Sequence, residues 1–373
     1  MAESVSDHTP FLPYAGPVTP ADLTCTVLGA VRRAVEEGAL GGAVAVPDRV
    51  KVERPRPGGS GDYATNAALR LAREARLPAR EVAEVLSAEL TRHPGIAGVE
   101  ITGPGFLNIT LARGSRDALV RDTLTNILTS GSGYGHGRAL SGQVIELRHR
   151  AEVRAAVTAD AVRRLLEAQG ALVRIDAYGD EAAGPAPTPT PAAGPTSTVA
   201  YEPSPVPAGA TAHELDRRFG TDATRWALLR AAAHDRPRLD DGLLVQKESN
   251  PFFLVRYAHA RSRALVRAAT RLGITAGYEE DAAALGDHPA LLDVLGDHPA
   301  VLASAARLRA PDRVARHLET TADAFLGFQH TVLPVGDEKP SAAHRSRLAL
   351  AEAAGTVLAG GLSLLGISAP EYL

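Results

Sequence analysis

The chain has 373 residues and one cysteine, Cys25. A single thiol excludes a disulfide framework and a cysteine-based zinc site, and it suits a reducing compartment such as the cytoplasm. Aromatic residues are scarce at 4%, so cores must be built from Leu, Val and Ala, which favours helices. No run of about 18 apolar residues occurs, which argues against a membrane-spanning helix. An excess of one charge sign is also missing. The formal net charge is −3, so any nucleic-acid contact must come from a local basic patch. The first 20 residues lack the basic start and apolar centre of a secretory signal, and residues 1–21 read as a disordered leader. What is present is 45% hydrophobic residues, enough at this length for two or three folded units.

Helical periodicity begins near Ala21, with Leu23, Val27, Leu28, Val31 and Val35 on one face. "RVKVERP" reads as a strand. Residues 60–93 read as two helices broken at Leu77-Pro78, with Pro78 in the first turn of the second. "GVEITGPGFLNITLARG" alternates around a Gly-Pro-Gly turn, the pattern of a β-hairpin. A further helix follows from Ser115. These elements make an α+β domain over 22–140. From Val144 to Tyr178 the order is strand, helix, strand, the opening of a nucleotide-binding fold, placed here at 141–180. Residues 181–209 are rich in Pro, Ala, Thr and Gly and read as a linker. Residues 210–373 read as an all-helical bundle. The short repeat "LGDHPA", at Leu285–Ala290 and Leu295–Ala300, reads as two helix starts, each Asp-His-Pro supplying a cap. A metal site at Asp287, His288, Asp297 and His298 is the weaker reading.

Chemistry-bearing motifs are few. The run "GSGYGHG" follows a helix and precedes a strand, the wrong order for a phosphate loop, so it reads as a connector. The first strand-to-helix loop of the β-α-β segment has no glycine to admit a phosphate. Arg148, His149, Arg150 and Arg154 could meet an anion by charge, or form a solvated loop. Cys25 lies in a helical pattern where a small buried thiol is expected. On a helical wheel from Phe252, Arg256, Arg263, Arg267 and Arg271 cluster opposite Leu254, Ala258, Leu265, Ala269 and Leu272. Tyr257 and Arg261 are neighbours on one flank. An arginine ridge beside an aromatic suits an RNA backbone and a stacked base; a solvated face is the plain alternative. In "GPGFLN", Phe106 and Asn108 share one strand face, so one could stack on a base while the other reads its edge.

Several stretches together resemble arginyl-tRNA synthetase. "GDYATNAALRLAREARLPAREVAEVLSAEL" with "VEITGPGFLNITL" resembles that family's N-terminal additional domain, which contacts the tRNA D-loop. "GTDATRWALLRAA" resembles the Asp-Ala-Leu-Arg signature of its anticodon-binding domain, with Thr224 in place of Leu. "SNPFFLVRYAHARSRALVR" is similar to the Asn-Pro…Tyr-Ala-His-Ala-Arg helix, and "LLGISAPEYL" to the family's ending. The matches cover about two-thirds of the chain, in family order.

The resemblance implies an α+β multidomain protein: the additional domain, a reduced β-α-β remnant of a Rossmann-like catalytic domain, and an all-α anticodon-binding bundle. It implies tRNA contact by Phe106 and Asn108 at the elbow and by Tyr257, Arg261 and Tyr372 near the anticodon; the arginine ridge read from the helical wheel would then meet the tRNA backbone. Asp222 and Arg225 fall on the name signature and are expected to be structural. The departure is equally specific. "RHRAEVRAAV" stands where the family carries His-x-Gly-His, and residues 204–220 hold no Lys-Met-Ser-Lys equivalent. The implied protein is a non-catalytic tRNA binder with no cofactor or metal and tRNA-Arg as partner. Residual ligase activity, or a regulatory role on another tRNA-using enzyme, is the alternative.

Overall fold

The apolar stripe from Leu23 forms α1 (Pro20–Glu36), which buries Leu23, Val27, Ala30, Val31 and Ala34. Cys25 falls between the buried positions and is exposed, against the expectation of a buried thiol. The computed structural model describes residues 20–40, 44–47, 50–55, 59–178, 198–278 and 289–373. It divides into two compact units at Asp122/Thr123. Most of the expected leader, most of the linker, and Asp287 and His288 of the first repeat lie outside the described residues.

In the first unit, β1 (Val52–Glu53), β2 (Tyr63–Thr65), α2 (Ala67–Ala75), α3 (Ala79–Thr91), β3 (Ile96–Thr102) and β4 (Phe106–Leu111) follow α1. The sheet is antiparallel in the order β1-β2-β4-β3. Pro78 stands one residue earlier than expected, at the N-cap of α3. Thr102 pairs with Phe106 across the Gly-Pro-Gly turn. Gly105 has φ +139, and a Cβ there would lie 2.8 Å from the Ala79 carbonyl oxygen, so only glycine lets this turn close against α3. The buried carboxylate of Glu89 is matched by Arg33 at 3.1 Å and Arg92 at 2.7 Å. Helix α4 (Arg113–Ser130) contains the division between the units.

In the second unit, β5 (Val144–Arg150), α5 (Val153–Ala168) and β6 (Leu172–Tyr178) form the expected parallel β-α-β. The linker reading is corrected at its end. Residues Thr198–Tyr201 form β7, parallel to β5 on its other side, giving the order β6-β5-β7. "TVAY" holds β-branched and aromatic residues, and β5 offers it a free edge.

The sheet has two unlike faces. Ile145, Leu147 and His149 are buried, and α5 packs on β5 and β6. The opposite face carries Glu146 in register with Arg174, and Arg148 with Asp176, while Leu172 is 69% exposed. Parallel sheets are normally covered on both faces and read as continuous apolar strands. Opposite charges across neighbouring strands instead suit a face turned to water.

The bundle comprises α6 (Ala212–Phe219), α7 (Thr221–Arg230), α8 (Pro251–Arg271), α9 (Pro289–Leu308), α10 (Asp312–Phe328) and α11 (Ala342–Leu364). Thr211 and Glu214 make a reciprocal capping box on α6. Asn250 caps α8, with Pro251 in its first turn. Small residues let the helices approach closely: a Cβ on Gly361 would meet Leu318 at 2.5 Å, and Ser262 Oγ donates to the Ala351 carbonyl at 2.8 Å. Few aromatics are needed where backbones pack this tightly. Leu272, expected on the apolar face of α8, is its exposed C-cap.

The second Asp-His-Pro does not start a helix. Asp297, His298 and Pro299 lie inside α9. Proline at 299 has no N–H to give the carbonyl four residues back. That carbonyl, of Leu295, instead accepts the Tyr134 hydroxyl at 3.2 Å. Tyr134 also stacks on His298, which stacks on His317 of α10, with ring centroids 5.8 and 5.1 Å apart. The glycine run that carries Tyr134 is thus a connector fitted to the bundle. A Cβ on Gly135 would collide with Leu302 at 2.9 Å. A long-range contact, invisible to local caps, holds α9 through its proline.

Candidate nucleic-acid interface

In an open parallel sheet the ligand crevice lies beyond the carboxyl ends of the strands, where strand order reverses. Here that point is between β5 and β7. The first turn of α5 should present free N–H groups to an anion. One of them, that of Ala155, is already engaged by a carboxylate. Glu152 is the N-cap, and its Oε2 accepts the Ala155 N–H at 2.9 Å. Its Oε1 accepts the Ala208 N–H, also at 2.9 Å, tying the helix start to the segment after β7. The remaining hollow, about 490 Å³, is lined by Arg150, Glu152, Pro203, Pro205 and Pro207.

The anion reading fails for two of the four basic residues. His149 is buried, its Nδ1 2.8 Å from the Arg150 carbonyl. Arg154 is 1% exposed and donates to five backbone carbonyls, those of Val206, Leu228, Ala231, Ala232 and Asp235, at 2.7 to 3.1 Å. Two of these, from Leu228 and the C-cap Ala231, lie at the end of α7, where a cation is favoured. Burial lowers the Arg154 pKa, opposed by Glu152, Asp235 and Asp312. Nothing in the local sequence separates this arginine from its exposed neighbours.

Asp222 and Arg225 tie the chain's last residues to α7. Asp222 accepts the Ser368 N–H at 3.2 Å and the Ser368 hydroxyl. Arg225 donates to the Leu365 carbonyl at 3.0 Å and to Asp160 at 2.5 Å. Burial pushes the Asp160 carboxyl up, but hydrogen bonds from Arg163 and Arg225 prevail and hold it at about 2. Gly366, at φ +69, ends α11 in a Schellman turn: its N–H reaches Ser363, and that of Ile367 reaches Leu362. A Cβ at Gly366 would lie 2.4 Å from the Arg225 guanidinium.

The outer side of α8 holds the other expected residues. Tyr257 is 37% exposed and stacks on Phe253, with centroids 5.6 Å apart. Beside them is a hollow of about 490 Å³ lined by Gly220, Leu244, Asn250, Phe253, Arg256 and Leu373. Arg256 lies over the Phe252 ring, and its Nε is buried without a hydrogen bond. Arg261 is exposed and donates to Gln329 at 2.6 Å. Arg271 is exposed in the last turn. Arg263 and Arg267 are not open. Arg263 meets Glu371 at 3.4 Å; Arg267 lies 3.7 Å from the same carboxylate and donates to the Glu371 carbonyl at 3.2 Å. Tyr372 is exposed, with the Arg267 guanidinium 4.2 Å from its ring centre. His259 Nδ1 lies 2.9 Å from the Pro370 carbonyl.

In the first unit, Phe106 is 42% exposed at the hairpin turn. Asn108 is buried, and its amide nitrogen donates to Ser60 at 3.1 Å and Thr102 at 3.0 Å. The aromatic is free to stack. The amide's donors are already in use, so the expected edge-reading pair is half available in this conformation. Among the described residues, no group of three or more His, Cys, Asp or Glu could hold a metal ion, and no helix is long and apolar enough to cross a membrane.

Residues 26–111 match the arginyl tRNA synthetase N terminal domain, and residues 255–373 match the DALR anticodon binding domain. An arginine–tRNA ligase of Frankia alni is 30% identical, the alignment covering 95% of this chain and 100% of that protein. The chain belongs to the arginyl-tRNA synthetase family. Another arginine–tRNA ligase, from Renibacterium salmoninarum, is 28% identical with the same coverage. The solved arginyl-tRNA synthetase of Thermus thermophilus shares the fold, with a TM-score of 0.66 at 15% identity over 95% of this chain and 100% of that one. The Frankia alignment runs over 554 positions, against 373 residues here, so about a third of its positions have no residue in this member of the family.

Proposed function

We propose that this member of the arginyl-tRNA synthetase family binds tRNA, most specifically tRNA-Arg, without charging it. The first unit would meet the tRNA elbow through Phe106, with Asn108 reading the base only after releasing Ser60 or Thr102. The bundle would meet the anticodon region through Tyr257, Arg261 and Tyr372, with phosphates on Arg256, Arg263, Arg267 and Arg271. The β6-β5-β7 sheet with α5 is read as the reduced remnant of a catalytic domain, and the unmatched third of the alignment as the rest of it.

The observation that carries the non-catalytic reading is the Glu152 carboxylate on the first turn of α5. Activating an amino acid with ATP needs donors at the phosphates and at the charge developing in the transition state. At this crevice a fixed negative charge stands in their place and would repel a phosphate. The charged outer face of the sheet supports the same reading, since a further layer of the domain would have to bury those charges at a large cost.

The competing reading, residual arginine–tRNA ligase activity, is favoured by the names of the relatives. Arginine-dependent ATP–pyrophosphate exchange separates the two. With the purified chain, no exchange above the enzyme-free background is expected, with or without added tRNA-Arg. Exchange that depends on arginine would establish the ligase reading instead.

A further inference from the structure

The ridge expected to hold RNA phosphates is partly covered by the chain's own carboxylate. We infer that Glu371 is a guard on this face, a residue that sets which RNA can bind by holding Arg263 and Arg267 until a phosphate displaces it. The inference rests on the RNA-binding reading of α8.

Three features lead to it. The Glu371 carboxylate bridges the two guanidiniums at 3.4 and 3.7 Å, the spacing of a loose ion pair rather than a close fork. All three side chains are at least a third exposed, and such pairs are weak and screened by salt. Arg267 Nη1 is nevertheless buried with no hydrogen bond. A buried donor left unpaired is unfavourable, and a phosphate oxygen could complete it where the 3.7 Å carboxylate does not. The contact is therefore poised for exchange: strong enough to cancel charge on the free protein, weak enough to yield to an anion with better geometry.

The chemistry also suggests what displaces it. Tyr372 moves with Glu371 along the chain and stacks on Arg267. Drawing the carboxylate away gives up that cation–π contact. A bare phosphate repays only the charge. An RNA segment that places a phosphate on Arg263 and Arg267 and a base on a freed aromatic surface repays both. Glu371 thus disfavours random polyanions more than a structured loop with an unstacked base.

Glu371→Gln removes the charge and keeps the shape. Binding of a tRNA-Arg transcript and of polyphosphate, a polyanion without bases, would be measured across a salt series for the wild type, E371Q, and E371Q in a chain also carrying Arg263→Gln and Arg267→Gln. E371Q is expected to bind both polyanions tighter at low salt, with a gain of about fivefold for the transcript and more for polyphosphate, and a salt slope for the transcript steeper by about one. The gain should vanish when both arginines are replaced. Melting temperatures of all three proteins serve as the folding control. Wild-type binding to the transcript with equal or weaker binding by E371Q overturns the guard alone and makes Glu371 a positioning residue. A gain that survives loss of both arginines also overturns it. Absence of RNA binding in both the wild type and E371Q overturns the RNA reading of α8 and the guard with it.

Discussion

Replacing Arg154 with methionine is expected to destabilise the second unit by about 5 kcal/mol, close to the whole stability of many domains. Methionine roughly keeps the length of the side chain and loses every donor. Five carbonyls, from Val206, Leu228, Ala231, Ala232 and Asp235, would lose this donor at once, although that of Ala232 still accepts the Asp235 N–H. Each buried acceptor left unmatched costs on the order of 1–3 kcal/mol, less where water can enter. Arg154→Lys should recover only part of the loss, because an ammonium cannot spread its donors over five acceptors. Urea unfolding followed by far-UV circular dichroism would show a strongly lowered midpoint for the methionine variant, or no folded second unit at all. A midpoint change worth less than about 1 kcal/mol would mean that Arg154 is not the tie between α5 and the end of α7.

Acidification is expected to have the next largest effect, through the stacked histidines of α9 and α10. Burial, then repulsion from His317 and His136, pulls His298 down to about 3, and burial pulls His317 to about 4. In the unfolded chain each takes up a proton near pH 6.5. Since the folded values are the lower ones, the unfolded state binds more protons, and stability rises with pH over this window. It is fully present above about pH 7 and is lost as pH falls from 6.5 towards 4. By pH 5 each histidine costs about 2 kcal/mol, about 4 together. His259 is shifted the same way by burial and adds to the loss. Asp160, held at about 2, contributes stability that is lost only below pH 4. Urea midpoints at pH 8, 6 and 5 should therefore fall steadily, and His317→Phe should flatten the fall. Equal midpoints at pH 8 and pH 5 would show that the histidines are hydrated or paired.

These two effects also mark what the sequence can and cannot carry. Alternation in "VIELRHR" and "LVRIDAY" announces both strands, and in register it also says that one face is charged. The meaning of that charged face becomes legible only once the strands are paired. The antiparallel hairpin and most of the helices follow from apolar period and turn residues. Strand β7 was hidden because four residues beside a Pro-rich stretch have no identity until β5 offers an edge. Asp297-His298-Pro299 has the chemistry of a helix start, and only the Tyr134 hydroxyl, 161 residues from Leu295, allows the helix to run through it. Arg154 reads as one of four loop bases, and the carbonyls that bind it come from residues 206–235.

The candidate interface divides in the same way. Strand alternation and the helical wheel led to Phe106, Tyr257 and the arginines of α8, and the family resemblance gave the first two a role. The engagement of Asn108 by Ser60 and Thr102, and of Arg263 and Arg267 by Glu371, depends on tertiary contacts that no single motif encodes. Glu152 was missed for a related reason. A glutamate before a helix is an ordinary cap, and its second bond, to Ala208, spans 56 residues. Its position on the anion site becomes evident only in the β6-β5-β7 order.

The central claim is that a chain of this family with a carboxylate at the start of α5 keeps selective tRNA recognition. Equilibrium binding of tRNA-Arg, set against an unrelated tRNA in the same buffer, tests it most directly. The account predicts binding at least about tenfold tighter to tRNA-Arg, weakening steeply as salt is raised. Equal, micromolar-or-weaker binding to both tRNAs would contradict it.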